Sequence, residues 1–230
     1  MANTTHGSLA AEAAAYLADN AGAVGRFNGI QEKIKQQSDC LIEWARQKGV
    51  LLDDSYTEGL EKFEEDTTEH TVYLSPSGDG RVIKCTKPGR FGHGHGPKGN
   101  YGRHAPATPW FYLQRLQLAN LEFPTDIRLE GIALGKSNLG KDEGHPYIVT
   151  SQLYIERANK QRPHPSEQEI RDLMTELGFR LLTDGAFNWF RESDGIIVTD
   201  AKPLNFITSP NGIVPIDLII SREQPAPAIT

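Results

Sequence analysis

The sequence predicts an α+β fold, in which helices come first and short antiparallel strands follow. Apolar side chains recur at helical spacing over residues 30–48, and Gly49 stands where such a helix would end. Further along, short apolar runs are paired across turns rich in Ser, Pro, Gly and Asn, in 69–86 and again in 204–218. Runs paired in this way are typical of β-hairpins. The separation of helical and hairpin segments indicates the α+β class.

Composition limits the classes of protein that this chain can belong to. Its 230 residues suffice for one large domain or for a two-lobed domain with a proper core. The net charge of −6 disfavours a broad nucleic-acid surface. The two cysteines, Cys40 and Cys85, form no metal-binding or disulfide pattern. No apolar run approaches membrane-spanning length, and the Ala-rich start lacks the basic leader of a signal peptide. We therefore expect a cytoplasmic protein with no membrane partner.

The first third of the chain is predicted to be mainly helical. Ser8 is placed to cap a short Ala-rich helix through Leu17, and the 30–48 helix follows it. These two helices form either an extension packed on the core or an arm that binds a partner. Residues 51–65 are acidic and helical in character. The hairpin then begins, with Ser75–Gly80 as its turn.

The middle of the chain alternates between ordered and irregular patterns. Residues 87–104 are Gly-rich and cationic, and we expect this run to be mobile. It offers phosphate contacts, a metal site built from histidines, or no ligand at all. Thr108 and Pro109 start a helix that runs to Asn120. Two strands, 127–134 and 147–150, come next. Residues 151–155 are expected to connect two halves of the fold.

The last third is predicted to hold one helix and a series of short strands. Ser166 and Glu169 form a capping box for a helix that Gly178 ends. Strands are expected at 179–182, 187–191 and 196–198. A hairpin with Asn211-Gly212 at its tip follows, and it is the one in the 204–218 segment.

Four polar residues flank this last hairpin and carry the strongest chemical signal. Asp200 follows an apolar run, and Lys202 and Asn205 come two and five positions later. Asp217 ends the second apolar run, so the hairpin would bring all four to the same end. A carboxylate can accept a proton, a lysine can neutralise a moving phosphoryl group, and Asn and Asp oxygens suit Mg²⁺. The set fits phosphoryl transfer, which depends on positioning and charge neutralisation.

The motif Asp-Ala-Lys-Pro-Leu-Asn at 200–205 resembles the catalytic loop of the protein-kinase-like superfamily. The whole pattern is most similar to the polyvalent protein kinase domains of phage and other mobile-element proteins. The resemblance implies a compact two-lobed protein-kinase-like fold. A small antiparallel-sheet N-lobe would span 51–150 and a reduced C-lobe 151–222. The helical extension would be 1–50 and the tail 223–230.

The resemblance also implies ATP and Mg²⁺ as cofactors and a role for each site residue. Asp200 would be the general base, Lys202 the transition-state charge, and Asn205 and Asp217 the metal ligands. The strand lysine Lys84 would anchor the nucleotide phosphates. Four further residues complete the nucleotide site: Gly78, Gly80, Gln152 and Tyr154.

The chain departs from the family pattern in three places. No GxGxxG motif precedes Lys84, so the Gly78-Asp79-Gly80 turn either covers the phosphates or is a plain hairpin tip. The helix that starts at Pro109 has no Glu to offer Lys84 before its end. Any such partner comes from elsewhere, for example from the acidic 58–69 stretch. Little sequence follows Asp217, which implies the reduced C-lobe.

Three functions remain open from the sequence. The first is an ATP- and Mg²⁺-dependent phosphotransferase whose acceptor is a protein hydroxyl, a nucleotide or a small molecule. The second is a pseudokinase that binds a nucleotide without turnover. The third is a metal-dependent nuclease that uses Asp200 and Lys202, with Asp184 or Asp194 as the second acid. Nothing in the sequence indicates the oligomeric state.

Overall fold

The computed structural model describes residues 5–21, 29–53, 55–63, 68–95, 104–135, 144–183 and 187–223. Within these ranges the α-helices are α1 (Thr5–Ala21), α2 (Ile30–Lys48), α3 (Pro109–Glu122) and α4 (Glu167–Glu176). The strands are β1 (His70–Leu74), β2 (Arg81–Thr86), β3 (His93–His95), β4 (His104–Pro106), β5 (Arg128–Gly135), β6 (His145–Leu153), β7 (Arg180–Thr183), β8 (Asn188–Arg191), β9 (Ile196–Thr199), β10 (Phe206–Ser209), β11 (Gly212–Pro215) and β12 (Ile219–Arg222). The predicted mixture of helices and antiparallel strands is confirmed.

The chain divides into two compact units. Unit 1 comprises 1–94, 106–120 and 126–154, and unit 2 comprises 95–105, 121–125 and 155–230. No helix in the described ranges is both long enough and apolar enough to cross a bilayer.

Unit 1 is built on a four-stranded antiparallel sheet in the order β1-β2-β6-β5. The predicted hairpin is present, since β1 pairs with β2 across the 75–80 turn. Lys84 lies on a central strand, opposite Val72 on one side and Thr150 on the other. The strand β6 runs on to Leu153, so the connection that we expected at 151–155 begins only after that residue.

Each face of this sheet carries its own apolar core. On one face α1, α2 and α3 bury Leu17, Trp44 and Leu113 against Ile148. On the other face a smaller cluster forms around Val149. Neighbouring residues of β6 serve opposite cores because strand side chains alternate between the two faces. The two N-terminal helices therefore pack as part of unit 1.

The segment after α2 corrects one expectation. We predicted helical character for 51–65, but the described residues of this segment form turns and two single bridges, Leu51 with Ile132 and Lys62 with Tyr73. Its apolar side chains pack on the second core: Leu52, Tyr56 and Leu60. Burial against an existing sheet outweighs a weak local preference for helix.

The helix starts follow the predicted signals with one exception, and α1 and α3 run on past Leu17 and Asn120 to Ala21 and Glu122. The helix α2 ends at Gly49, which takes the left-handed conformation (φ 70°) that favours glycine. The Thr108 hydroxyl accepts a 3.3 Å hydrogen bond from the Phe111 amide and so caps α3. The helix α1 is the exception because it begins at Thr5, which places Ser8 inside the helix and not at its cap.

The Gly/His-rich run contains short strands that we did not predict, and our expectation that it is mobile stays a prediction. Residues 93–95 and 104–106 form the two-stranded sheet β3-β4, and 96–103 lie outside the described residues.

A Cβ atom added at Gly92 (φ 74°) would lie 2.2 Å from the side chain of Glu69. The glycine is therefore required by the close approach of a buried side chain.

Unit 2 contains the sheet β12-β9-β8-β7 and the separate hairpin β10-β11. The helix α4 begins with the predicted capping box, in which Ser166 and Glu169 bond each other's backbone amides. The Arg191 guanidinium binds Asp194 at 2.7 Å and Glu122 at 2.6 Å, and it stacks on the Phe179 ring. This network fixes the 121–125 segment and the β8-β9 turn within unit 2.

One buried ion pair stands out in unit 1. The Arg115 side chain on α3 binds the Glu69 carboxylate, and both side chains are more than nine-tenths buried. Breaking such a pair leaves a buried charge without compensation.

We predict that Arg115→Met lowers the free energy of unfolding by about 3–5 kcal/mol, because the buried Glu69 would keep its charge and lose its closest cationic partner. Urea unfolding at neutral pH measures this. The control is Arg46→Met, which removes an exposed pair with Glu43 and should change stability by less than about 1 kcal/mol. Similar losses in the two variants would contradict the assignment of Glu69–Arg115 as the dominant pair.

The same pair predicts an acid-sensitive stability. Burial raises the pKa of Glu69, but the charge of Arg115, a hydrogen bond from His93 and the charge of His70 outweigh it and hold the pKa well below its usual 4.5. Because the folded-state pKa is the lower one, this contribution to stability is complete above pH 4.5 and is lost as the pH falls.

Urea unfolding between about pH 6 and pH 3 should show this loss, and the slope due to this one carboxyl approaches about 1.4 kcal/mol per pH unit. The double variant Glu69→Gln/Arg115→Met should have a shallower acid limb. Parallel acid limbs in the two proteins would rule out this role for Glu69.

Candidate functional site

The loop after β9 has an unusual backbone at its first residue. Asp200 lies in the left-handed region with φ 57°, where Asp and Asn are the least strained residues after glycine. Pro203–Asn205 then form one turn of 3-10 helix, in which the Asn205 amide donates to the Lys202 carbonyl at 2.9 Å. Proline fits the first position of such a turn because its φ is already fixed.

The Asn205 side chain holds Asp200 in place. Its Nδ2 donates to the backbone carbonyl of Asp200 at 2.7 Å and to the carboxylate Oδ2 at 2.8 Å. The Lys202 Nζ lies 3.0 Å from the other carboxylate oxygen. The three residues therefore form one connected cluster. Because Nδ2 serves Asp200, the Oδ1 of Asn205 is turned away from Asp200 and can serve another partner.

The hairpin brings Asp217 to the same end, as the sequence predicts. Phe206 pairs with Pro215, and the Ile216 amide donates to the Asn205 carbonyl at 2.8 Å. Asp217 thus follows a residue that is bonded directly to Asn205. One detail is corrected: Ser209 pairs with Gly212, so the tip of the hairpin is Pro210-Asn211 and not Asn211-Gly212.

Buried residues on both sides of Asp200 hold the cluster in place, and the sequence analysis did not identify their contacts. Thr199 and Ala201, on either side of Asp200, are fully buried. The Ala201 amide donates to the Phe187 carbonyl at 3.2 Å. The Thr199 hydroxyl lies 3.2 Å from the Nδ1 of His95, one of the histidines that we considered as metal ligands. No local signal marks these contacts, because 104 residues separate His95 from Thr199.

In unit 1 the structure brings together two pairs of predicted nucleotide-site residues. The Lys84 Nζ donates to the Gln152 Oε1 at 2.9 Å. The Tyr154 amide donates to the Gly80 carbonyl at 2.8 Å, which ties the end of β6 to the hairpin turn. Gly78 and Gly80 both have positive φ in that turn. The Tyr154 ring is about half exposed and stands edge-on to Phe63.

Comparison with models of known protein families shows the family of this chain. The model described as Serine/Threonine/Tyrosine Kinase found in polyvalent proteins matches residues 34–224, which is most of the chain. The chain belongs to this kinase family. The resemblance seen in residues 200–205 is thereby confirmed at the level of the family. No curated protein and no solved structure matches the chain.

The sequence left open which carboxylate could pair with Lys84. In the contacts that the structure describes, the two carboxylates considered for this role bind arginines. Glu122, the last residue of α3, binds Arg191 at 2.6 Å. Glu69, from the acidic stretch that we considered as a source, binds Arg115. Asp194, one acid that a nuclease would need, is also bound by Arg191, and Asp184 lies outside the described residues.

We predict that Asn205→Leu lowers the free energy of unfolding by about 2–3 kcal/mol, because two hydrogen bonds to Asp200 are lost and its partly buried carbonyl loses its donor. Urea unfolding measures the change. The control is Asn20→Ala, which removes one exposed hydrogen bond to Tyr16 and should cost about 0.5 kcal/mol or less. Equal stability of Asn205→Leu and the unsubstituted protein would show that Asp200 keeps its conformation without Asn205.

Proposed function

We propose that this protein is an ATP- and Mg²⁺-dependent phosphotransferase that acts on a hydroxyl acceptor. The observation that carries the proposal is the fixed Asp200–Lys202–Asn205 cluster at the start of the β10-β11 hairpin. Membership of a Ser/Thr/Tyr kinase family supports phosphoryl transfer as the reaction class. Such transfer needs a positioned base and a concentration of positive charge, and it needs little covalent chemistry from the protein.

Asp200 is suited to the role of general base. Its carboxylate accepts a hydrogen bond from Asn205 on one oxygen and forms an ion pair with Lys202 through the other, so its direction is fixed before any substrate arrives. A carboxylate held in this way can accept the proton of an attacking hydroxyl without reorganising. Lys202 is about half exposed, and its ammonium can therefore also approach a phosphoryl group.

The remaining predicted residues fit the chemistry of the cofactors. Asn205 Oδ1 and the Asp217 carboxylate are hard oxygen donors on adjoining parts of the hairpin, and Mg²⁺ prefers such ligands together with phosphate oxygens. When bound, Mg²⁺ would neutralise charge on those phosphate oxygens. In unit 1 the ammonium of Lys84 would bind phosphates, while Gly78, Gly80 and the Tyr154 segment would border the nucleotide.

We also propose the two-lobed kinase division expected from the sequence. Residues 51–150 would form the N-lobe that holds the nucleotide phosphates, and 151–222 the reduced C-lobe that carries the catalytic loop. The helices of 1–50 would support the N-lobe. The acceptor would be a protein or small-molecule hydroxyl in the cytoplasm.

One observation favours a second candidate, a nucleotide-binding pseudokinase. The helix α3 has no Asp or Glu before Glu122, and Arg191 binds Glu122. An active site in which no helix carboxylate orients the strand lysine is consistent with binding that does not lead to turnover.

Calorimetric titration with ATP, with and without Mg²⁺, should show binding that depends on the metal. Asp217→Asn should weaken this binding about tenfold or more, because a charged metal ligand is lost. Asp200→Asn should leave binding within about threefold. The same variant should lower ADP formation by about 10²-fold or more, because the base is removed.

The matched control is Asp172→Asn, an exposed carboxylate on α4 bonded only to Gln168 among its described contacts. It should change neither binding nor turnover. Metal-dependent binding without ADP formation or phosphoryl transfer would support the pseudokinase. Absence of binding at millimolar ATP would exclude both kinase-type functions for this chain.

A further inference from the structure

The turn between β1 and β2 already holds an anion of its own. We infer that the hydrogen-bond donors of this turn form an anion site, that the Asp79 carboxylate occupies it in the free protein, and that phosphate oxygens bind there only in competition with Asp79. The part of this inference that concerns a nucleotide rests on the proposed function. The part that concerns the free protein can be tested without ATP.

The backbone of the turn is shaped to hold an anion. Gly78 and Gly80 lie in the left-handed region, with φ 65° and 69°. A Cβ atom at either glycine would meet no atom within 4 Å, so glycine is required there by the conformation and not by a close neighbour. Left-handed residues within a turn direct successive amide groups toward one concave side, and such nests bind anions. Residues 76–80 are exposed, so the site is accessible from water.

The Asp79 carboxylate lies among these donors. The Arg81 amide donates to its Oδ1 at 3.2 Å. The hydroxyls of Ser75 and Ser77 lie 2.7 Å apart and also hydrogen-bond this carboxylate. Burial raises the pKa of Asp79, but these bonds and one from its own amide outweigh burial and lower the pKa below its usual value. The carboxylate is therefore charged at neutral pH and uses the donors that a phosphate oxygen would need.

The charge of Asp79 has no cation to balance it at this turn. Within the ranges that the structure describes, Asp79 forms no ion pair. The nearest basic side chain in the sequence, that of Arg81, is buried and directs its guanidinium to Asp126 at 2.6 Å and to Ser151 at 2.8 Å. Asp79 therefore places an unbalanced negative charge at the tip of the hairpin, and like charges at close range repel.

This carboxylate weakens the binding of phosphate at the turn. A phosphate that uses the turn must either displace Asp79 from the donors or approach a negative charge at contact distance. Displacement is feasible because Asp79 is exposed and its side chain can turn into water. Removing Asp79 should therefore tighten phosphate binding, whereas the loss of a true ligand-binding residue would weaken it. The turn is then neither an open phosphate cover nor a plain hairpin tip.

The first experiment follows the side-chain carboxyl ¹³C signal of Asp79 by NMR while the free protein is titrated between about pH 6 and pH 3. The double variant Ser75→Ala/Ser77→Ala should raise the pKa of Asp79, because hydrogen bonds to the charged form are lost. The matched control is Ser209→Ala, which removes a serine hydroxyl from the other hairpin and should leave this pKa unchanged. The same pKa of Asp79 in all three proteins would overturn its place among the donors of the turn.

The second experiment measures the binding of inorganic pyrophosphate by calorimetry and locates it by the NMR shifts of the Gly78, Gly80 and Arg81 amides. Asp79→Ala should bind pyrophosphate at the turn about threefold or more tightly than the unsubstituted protein does. Asp172→Ala removes an equal charge from the exposed surface of α4 and should not change this affinity. Equal affinities of Asp79→Ala and the unsubstituted protein, or unshifted amides in the turn, would overturn the competition.

Titration with Mg²⁺-ATP then separates this inference from the proposed function. Tighter ATP binding by Asp79→Ala than by the unsubstituted protein would support both. If neither protein binds ATP but pyrophosphate still prefers Asp79→Ala, the proposed function fails and the anion site stands. If both proteins bind ATP equally, the phosphates of the nucleotide do not use the turn, and the nucleotide part of the inference is wrong.

Discussion

The candidate site depends on one side-chain amide. Asn205 donates to both the carbonyl and the carboxylate of Asp200, and so it stabilises a left-handed residue at the end of a buried strand. The backbone carbonyl of Asn205 also accepts a hydrogen bond from the Ile216 amide, and this bond fixes the backbone position of the next residue, Asp217. An interaction network centred on one buried asparagine thus links the backbone conformation of Asp200, the direction of its carboxylate and the position of Asp217. Each of these would change if the amide were lost.

Much of this arrangement could be predicted because its causes are local. Spacing within residues 200–205, the Ser166 capping box and the stop at Gly49 depend on side chains that bond a few positions away. The 51–65 segment was predicted wrongly because its apolar side chains pack on a sheet formed by later residues. The contacts of His95 with Thr199 and of Gln152 with Lys84 join residues distant in sequence, and residue type alone gives no sign of them.

The two units differ in how they hold their candidate site residues. In unit 2 the residues come from a single loop and hairpin, and short-range hydrogen bonds fix them. In unit 1 they come from a hairpin turn and from two central strands, and strand register fixes them. A loop motif of the first kind is visible in a sequence. For a site of the second kind a resemblance can name the residues, but their mutual contacts become visible only when the pairing of β2 with β6 is known.

The close contact between Gly92 and Glu69 bears on how the Gly-rich run should be viewed as a target for mutagenesis. Glycines in such a run look interchangeable, but their surroundings are not equivalent. A side chain at Gly92 would meet a buried carboxylate at 2.2 Å, whereas one at Gly94 would meet the Phe111 ring at 3.2 Å. In a library that randomises this run, position 92 would remain glycine among folded members. The apparent low complexity of the segment therefore conceals one position with almost no freedom to vary.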